Sequence, residues 1–495
     1  MTEKINRAGA LLIALLLAWG GSSARSADES QFPPFPPELE TLAPPARLLV
    51  KNALLMTMAD GEREPFLGYM LVGIDGKIAK IGAGDPPPDA AAAATYDAGG
   101  KFVIPGFISA HSHIYCSPLR GTGADKTLID WIGAWAPLVN AASPEDLYWY
   151  TLHGCLDFQK YGITAAYNFT TPNTRWNGYE KPPTPNPGDW EEKQFNAEID
   201  SGLRFIHSFG VPFFGNEQES RQGIEKLIAY TKPFASDPHF LKLALSGGVG
   251  FARSKETAYR EAAYMRDYNL DNQTHYLEPP TALSQRDKFP WFVESGLLAF
   301  GPRLYFGHFI HTTPEIVAAA AKAGCNMVWN PLSNGRLASG FADIPAYLKA
   351  GMKVGMGVDN QNASDIPDPF ENMRLGLYAI RDKYEDATVM SPYDVLKLHT
   401  MGSATVMRVA DKIGSLEPGK YADFDVVDPR HRDTGPVYDP YATLVLACGQ
   451  ANLDRVYIGG EMVSMRGQII GRDFDTVAAE VRRRAEAARA KAATP

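Results

Sequence analysis

The sequence predicts a (β/α)8 TIM-type barrel with a small β-sandwich domain built from both chain ends. Eight short apolar runs alternate with longer helical stretches through the middle of the chain, and hairpin-like β segments lie before and after them. A third observation is where the polar residues fall. Histidines and carboxylates stand at the ends of several apolar runs, where a barrel of this kind forms its active site.

In chain order, the first element is a processing segment. Lys4 and Arg7 precede an apolar stretch from Ala8 to Gly20, and small residues follow as far as Ala27. This is the pattern of a secretory signal peptide over residues 1–27, with cleavage expected after Ala24 or Ala27. The run is short for a membrane span, and no cysteine follows it to suggest a lipoprotein. The mature protein is therefore expected outside the cytoplasm, in the periplasm if the source is Gram-negative, and free of the membrane. A proline-rich linker occupies 28–45.

Strand-like pieces at 47–56, 68–81 (with an Asp75-Gly76 turn) and 101–104 assign 46–104 to the N-terminal part of the β-sandwich. Pieces at 421–427 and 455–465, with a Gly459-Gly460 turn, assign 411–471 to its C-terminal part. Between them, 105–410 reads as the barrel. Its candidate strands are 103–110, 163–169, 203–209, 240–245, 272–277, 304–309, 326–329 and 353–358, and helical segments such as 143–161, 255–268 and 314–323 separate them. An insert at 171–193 is too long for an ordinary strand-to-helix loop. Its prolines and its aromatic residues Trp176, Tyr179 and Trp190 suggest a cover over the site. The tail, 472–495, reads as a surface helix, and the run Arg482-Arg483-Arg484 as its solvated face.

The 495 residues are 45% hydrophobic and 21% charged, with a formal charge of −9, so nucleic acid is excluded as a main partner. A small-molecule substrate is expected; association into a homo-oligomer stays open. Cys116, Cys155, Cys325 and Cys448 are far apart and form no CxxC, so they read as buried free thiols rather than a disulfide framework. No GxSxG elbow supports a serine nucleophile.

The chemistry begins with His111 and His113. Alternation along a strand places residues i and i+2 on one face, so both imidazoles can reach one ion. Further donors close later strands: His275 with Glu278 three residues on, then His308, then Asp359. Four strand ends thus bring four histidines and two carboxylates toward one axis. Such nitrogen and oxygen donors suit zinc, iron, manganese or cobalt.

The segment Val103-Ile104-Pro105-Gly106-Phe107-Ile108 through His113 resembles the first-strand motif of the amidohydrolase superfamily, departing from it at Ser109, where Asp or Asn is usual. Pro118-Leu119-Arg120-Gly121, the HxxE at His275–Glu278, the HxxH at His308–His311, Asn330-Pro331-Leu332-Ser333-Asn334 and Gly355-Met356-Gly357-Val358-Asp359 are similar to the triazine hydrolase and aminohydrolase branch. Ile413-Gly414-Ser415-Leu416-Glu417-Pro418-Gly419 resembles the closing β-domain signature.

The resemblance implies one divalent metal, zinc first, held by His111, His113, His275 and Asp359. It implies Glu278 as proton shuttle, His308 as hydrogen-bond donor to the reacting centre, and Asp359 as both ligand and proton acceptor. The reaction implied is cleavage of a C–N bond (amide, carbamate, urea or ring amine) by metal-activated hydroxide. His311 would stand behind the site. Lys242 raises an alternative: if carboxylated, it would bridge two metals, with His308 on the second, as in peptidases and lactonases of the superfamily. A catalytically inactive binding protein on the same fold is the other alternative.

Overall fold

The computed structural model describes residues 46–170, 174–178, 184–185, 188–212, 217–432 and 434–493. The expected leader and linker, 1–45, and Tyr179 of the insert lie outside them. Among the described residues no helix is long and apolar enough to cross a membrane.

Eight parallel strand positions follow one another along the chain: β1 (Phe107–His113), β2 (Ile163–Phe169), β3 (Arg204–Gly210), β4 (Phe240–Gly247), β5 (Asp271–Tyr276), β6 (Leu304–His308), β7 (Asn326–Trp329) and β8, which is interrupted into Val354–Met356 and Asp359–Asn360. Each pairs with its sequence neighbour. The first half of β8 pairs with β7, and its second half pairs with β1 through Asp359↔Ser112 and Asn360↔His113. The break in β8 therefore lets one strand close the circuit and sets Asp359 beside the His111–His113 pair. Near-continuous apolar burial fits strands covered on both faces: all seven residues of β2 are buried.

Helices cross back between the strands, and two matter for the site. Helix α1 (Leu128–Asn140) follows β1, and α2 (Pro144–Lys160) leads to β2. Ser143 caps α2 by accepting from the Asp146 backbone N–H while Asp146 returns a bond to the Ser143 N–H, a reciprocal capping box. The tail forms α3 (Phe474–Ala492), whose Val477 and Val481 join a buried cluster with Trp131 and Trp135 of α1 and Leu147 of α2. So α3 is a surface helix with an anchored apolar stripe.

The second sheet takes strands from both chain ends. Its hydrogen bonds run through nine strands as one sheet, in the order Gln468–Ile469, Glu461–Met465, Leu453–Ile458, Phe424–Val427, Phe102–Pro105, Ala46–Leu55, Phe66–Val72 and Ile78–Ala83, with Ala92–Asp97 beside Ala46–Leu55. The two ends join where Phe424–Val427 pairs antiparallel with Phe102–Pro105.

One expected strand, 103–110, divides between the two sheets. Phe102–Pro105 belongs to the second sheet and β1 starts at Phe107. Gly106 is the pivot: a Cβ there would lie 2.3 Å from the Thr164 side chain, so only glycine lets the chain cross so close to β2.

Candidate active site

The proposed donors converge at the C-terminal ends of the parallel strands. His111, His113 and His275 each offer a ring nitrogen within 4.8 Å of the others, and so do His111, His308 and Asp359 with one atom apiece. His111 Nε2 is 3.3 Å and His113 Nε2 3.6 Å from Asp359 Oδ1. His113 Nε2 and His275 Nε2 are 3.1 Å apart. Glu278 Oε2 is 3.6 Å and Asp359 Oδ2 3.9 Å from His308 Nε2.

Local backbone strain aims these groups. Leu277, His308, Phe309 and Asp359 all have positive φ, between 49° and 68°. Such conformations cost non-glycine residues about 1–3 kcal/mol each and cluster at functional sites. The turns brace one another: Phe309 N–H donates to Tyr276 O, while Ile310 and His311 N–H both donate to Leu277 O. The left-handed turn at Leu277 brings Glu278 back beside His308. At β8, Gly357 permits a close approach, since a Cβ there would sit 2.8 Å from the His111 Cβ. Ser109, the departure from the superfamily motif, accepts from Val358 N–H at 3.1 Å and so ties β1 to β8.

Neighbouring amides fix which ring nitrogen faces the centre. Gln273 Nε2 donates to Ala110 O at 2.9 Å, so its Oε1 is the atom that meets His111 Nδ1. His111 then carries a proton on Nδ1, and its Nε2 faces Asp359. The opposite holds at His308. Asn334 Nδ2 donates to its Nδ1 at 2.9 Å, and Asn330 Nδ2 lies 3.4 Å away, leaving the proton on Nε2 toward Glu278 and Asp359.

Burial and charge set the protonation states. Burial pulls the His113 pKa down to about 3 against the opposing charge of Asp359, and burial does the same for His308. His275 is driven well below the usual range by burial and the three neighbouring histidines. Burial raises Glu278 well above an ordinary glutamate, and the Asp359 charge adds to this. Burial also opposes ionisation of Asp359, but His111, His308 and His113 outweigh it and hold its pKa well down.

The donor set fits a divalent cation. His111 Nε2 and Asp359 Oδ1 are buried without a hydrogen-bond partner, although a buried polar atom left unpaired is costly. Imidazole nitrogens and a carboxylate oxygen are the donors a divalent cation prefers, and a cation among them would satisfy both orphaned atoms at once.

The amidohydrolase family model matches residues 102–463, nearly the whole span from the junction of the two sheets to the last strands. The chain belongs to the amidohydrolase family. A 5-methylthioadenosine/S-adenosylhomocysteine deaminase of Bacillus cereus (strain AH820) is 28% identical over 443 residues, covering 87% of this chain and 97% of its own. Among solved structures, an adenosine deaminase from Xanthomonas campestris with bound zinc superimposes with a TM-score of 0.79 at 21% identity, over 90% of this chain and 99% of that one. An atrazine chlorohydrolase from Arthrobacter aurescens TC1 complexed with zinc gives 0.77 at 20% identity, over 88% and 100%. These two structures share the fold of this amidohydrolase.

Two of the residues singled out in the sequence stand apart from the cluster. His311 Nε2 bonds Ser339 O at 2.7 Å, and Ser339 Oγ donates to Glu278 Oε1 at 3.3 Å. His311 therefore positions the neighbour of Glu278. Lys242 corrects the two-metal alternative. It is the third residue of β4, near the strand's N-terminal end, and its Nζ binds Asp271 at 2.5 Å at the start of β5. The pocket is reached by Ser246 and Gly247, at the other end of the same strand.

The remaining participants were not singled out from the sequence. Gln273 lies two residues before His275 on the same strand face, a signal that alternation could have supplied. Phe169 stacks on the His113 ring at 4.9 Å and sets its edge to His275 at 4.6 Å. The insert does cover the site in part, since Trp176, Asn177 and Gly178 line the cavity. All four cysteines are buried and free, as expected; Cys116 accepts from Asn360 Nδ2, and burial raises its thiol pKa far above the reactive range.

Proposed function

We propose that this amidohydrolase is a one-metal enzyme at the mouth of a (β/α)8 barrel flanked by a small β domain, and that it hydrolyses an exocyclic C–N bond of a small amino-heterocycle. The observation that carries this reading is the pair of orphaned buried atoms, His111 Nε2 and Asp359 Oδ1, facing each other within a ring of histidines. His111, His113, His275 and Asp359 would hold the ion, zinc in first place. Bound there, a divalent cation supplies Lewis acidity and makes a water molecule nucleophilic near neutral pH.

The chain's own groups do the rest. Asp359, ionised, takes the first proton from the attacking water. Glu278, whose burial favours the protonated acid, keeps a proton at Oε2 and delivers it to the leaving nitrogen. His308 Nε2–H points between the two carboxylates and donates to the oxygen on which charge develops. The C–O bond forms, the C–N bond breaks, the amine nitrogen leaves as ammonia, and the proton taken by Asp359 passes to Glu278, restoring both carboxyls. Deamination is favoured over amide cleavage because the 28%-identical relative is a deaminase. The apolar run at Ala8–Gly20 supports export before the enzyme meets its substrate.

The deciding experiment is metal analysis followed by ammonia release on a panel of aminopurines and aminotriazines. About one metal per chain and ammonia from at least one compound support the reading. A protein that binds no ion after exposure to zinc, iron or manganese refutes it. N-terminal sequencing of the exported protein tests the signal segment, with a new terminus after Ala24 or Ala27 expected.

A further inference from the structure

We propose that the substrate carries an apolar alkyl or aryl substituent rather than a sugar, and that one face of α1 selects for it. This rests on the C–N hydrolysis proposed above and names the class of molecule that brings the amine to the site.

The cavity has a volume of about 330 Å³, with His113, His275, Glu278, His308 and Asp359 among its lining residues. Away from these, much of the wall is α1, contributing Leu128, Trp131, Ile132, Trp135 and Val139. Their spacing of three and four residues puts them on one stripe of the helix. The tryptophan rings meet edge to face with centroids 5.4 Å apart, so each fixes the other. The helix has backing: Val477 and Val481 of α3 pack in the same cluster as both tryptophans. Across the stripe, the Asn140 side chain bonds the Trp176 backbone at both its amide atoms, clamping the insert onto α1.

On α1 the buried unpaired polar atoms are the two indole N–H groups, which donate only, and several of the other described polar side chains around the cavity are already engaged. Asn140 is already used on Trp176. Thr170 Oγ1 donates to Ser208 O at 2.7 Å, and Ser246 Oγ is paired with Ser208 Oγ. Arg253, the one cation among the described lining residues, already has an interaction within the protein. Among these lining residues the only carboxylates are Glu278 and Asp359, both committed to the reaction centre. Ribose hydroxyls set against the tryptophan, leucine, isoleucine and valine side chains of α1 would leave water and meet no acceptor on that stripe, whereas an alkyl or aryl group gains by the same transfer.

A matched series isolates the substituent: adenine bearing hydrogen, ribosyl or benzyl at one ring nitrogen. Binding to the metal-loaded enzyme is followed by quenching of tryptophan fluorescence, and ammonia release is followed separately. The benzyl compound is expected to bind at least about 10-fold more tightly than the ribosyl one, the scale on which apolar pockets discriminate. Equal or tighter binding of the ribosyl compound overturns the proposal, as does failure of both to bind. Ammonia from none of the three, with benzyl still preferred in binding, refutes C–N hydrolysis of this ring and leaves the apolar selection standing. Trp135→Ala, and the half-buried Ile132→Asn as the variant less dependent on the core, should each cut the benzyl-over-hydrogen preference about 10-fold at unchanged metal content. An unchanged preference in both variants overturns the assignment to α1.

Discussion

The two ends of the same parallel strands treat buried charge in opposite ways. At the N-terminal ends, the Asp271 carboxylate is met by Lys242 at 2.5 Å, Arg408 at 2.6 Å and Arg303 at 3.2 Å. At the C-terminal ends, Asp359 and Glu278 face imidazoles, His111, His113 and His308, in place of lysine or arginine, and an Asp359 oxygen has no hydrogen-bond partner. One end compensates its carboxylate with the chain's own lysine and arginines; the other offers its carboxylate only histidines that can also bind a metal. A buried carboxylate without a countercharge takes up a proton, as at Glu278, or is met by a cation from outside the chain, and the pKa of Asp359 lies well down. The comparison separates a site that holds the fold together from a site built to take up a cation.

The largest effect that could break this comparison lies at Glu278. Glu278→Gln keeps shape and removes the proton-carrying oxygen, so turnover should fall by about two to four orders of magnitude. Metal content should stay near the wild-type value. Turnover close to wild type would make the C-terminal end as structural as the other. A smaller effect is expected one contact further out. Asn334→Leu frees His308 Nδ1, lets the imidazole place its proton on either nitrogen, and should lower kcat/KM by about 10- to 100-fold with the metal retained. An Asn334→Asp variant adds a test of sign: it would favour a proton on Nδ1, and activity should not recover.

Much of this contrast was legible in the sequence, and the reasons differ residue by residue. His111 and His113 were legible because strand alternation is geometric. Asp359 was legible because it terminates an apolar run. The role of Glu278 rested on resemblance, because alternation cannot show that Leu277 turns left-handed and carries Glu278 back into the site. Gln273 was missed, and Asn330 and Asn334 were noted only as a motif without a role, because all three act through rings contributed by other strands. Their pairing is set by the order in which strands meet around the ring. Lys242 was misread for a different reason. The alternative rested on resemblance, although the expected strand, 240–245, already began two residues before Lys242; the observed strand, Phe240–Gly247, starts at the same residue and reaches the mouth at its other end. The division of 103–110 between two sheets was likewise invisible, because both halves are apolar and only the crossing with Thr164 demands Gly106.

A milder effect probes the loop after β4, which joins the pocket wall. Glu261 is buried, accepts from Gly248 N–H at 2.8 Å and Asn272 Nδ2 at 2.7 Å, and has its pKa raised by burial from 4.5 to about 7. A carboxyl raised in the folded state favours folding while it is protonated. Its contribution is therefore full below pH 4.5 and is lost as pH rises toward 7, by roughly 3 kcal/mol. Glu261→Gln should flatten that decline in urea unfolding, since Asn272 can turn its unpartnered Oδ1 toward the new amide. An unchanged pH profile would show that the loop is insensitive to this charge.

The smallest effect on activity belongs to Lys242, and it tests the comparison from its other side. Lys242→Met keeps the aliphatic stem and removes one of three cations around Asp271. Arg303 and Arg408 remain to satisfy the carboxylate, so the loss of stability should be only about 1–3 kcal/mol, the scale of a hydrogen bond to a charged group. Turnover and metal per chain should be unchanged, because Nζ is committed to Asp271 at the strand end away from the pocket. A drop from two metals to one in the variant would instead restore Lys242 as a bridging ligand and erase the distinction between the two ends. Unchanged metal and turnover with a lower unfolding midpoint would assign Lys242 to the fold alone and leave His111, His113, His275 and Asp359 as the complete set of protein donors.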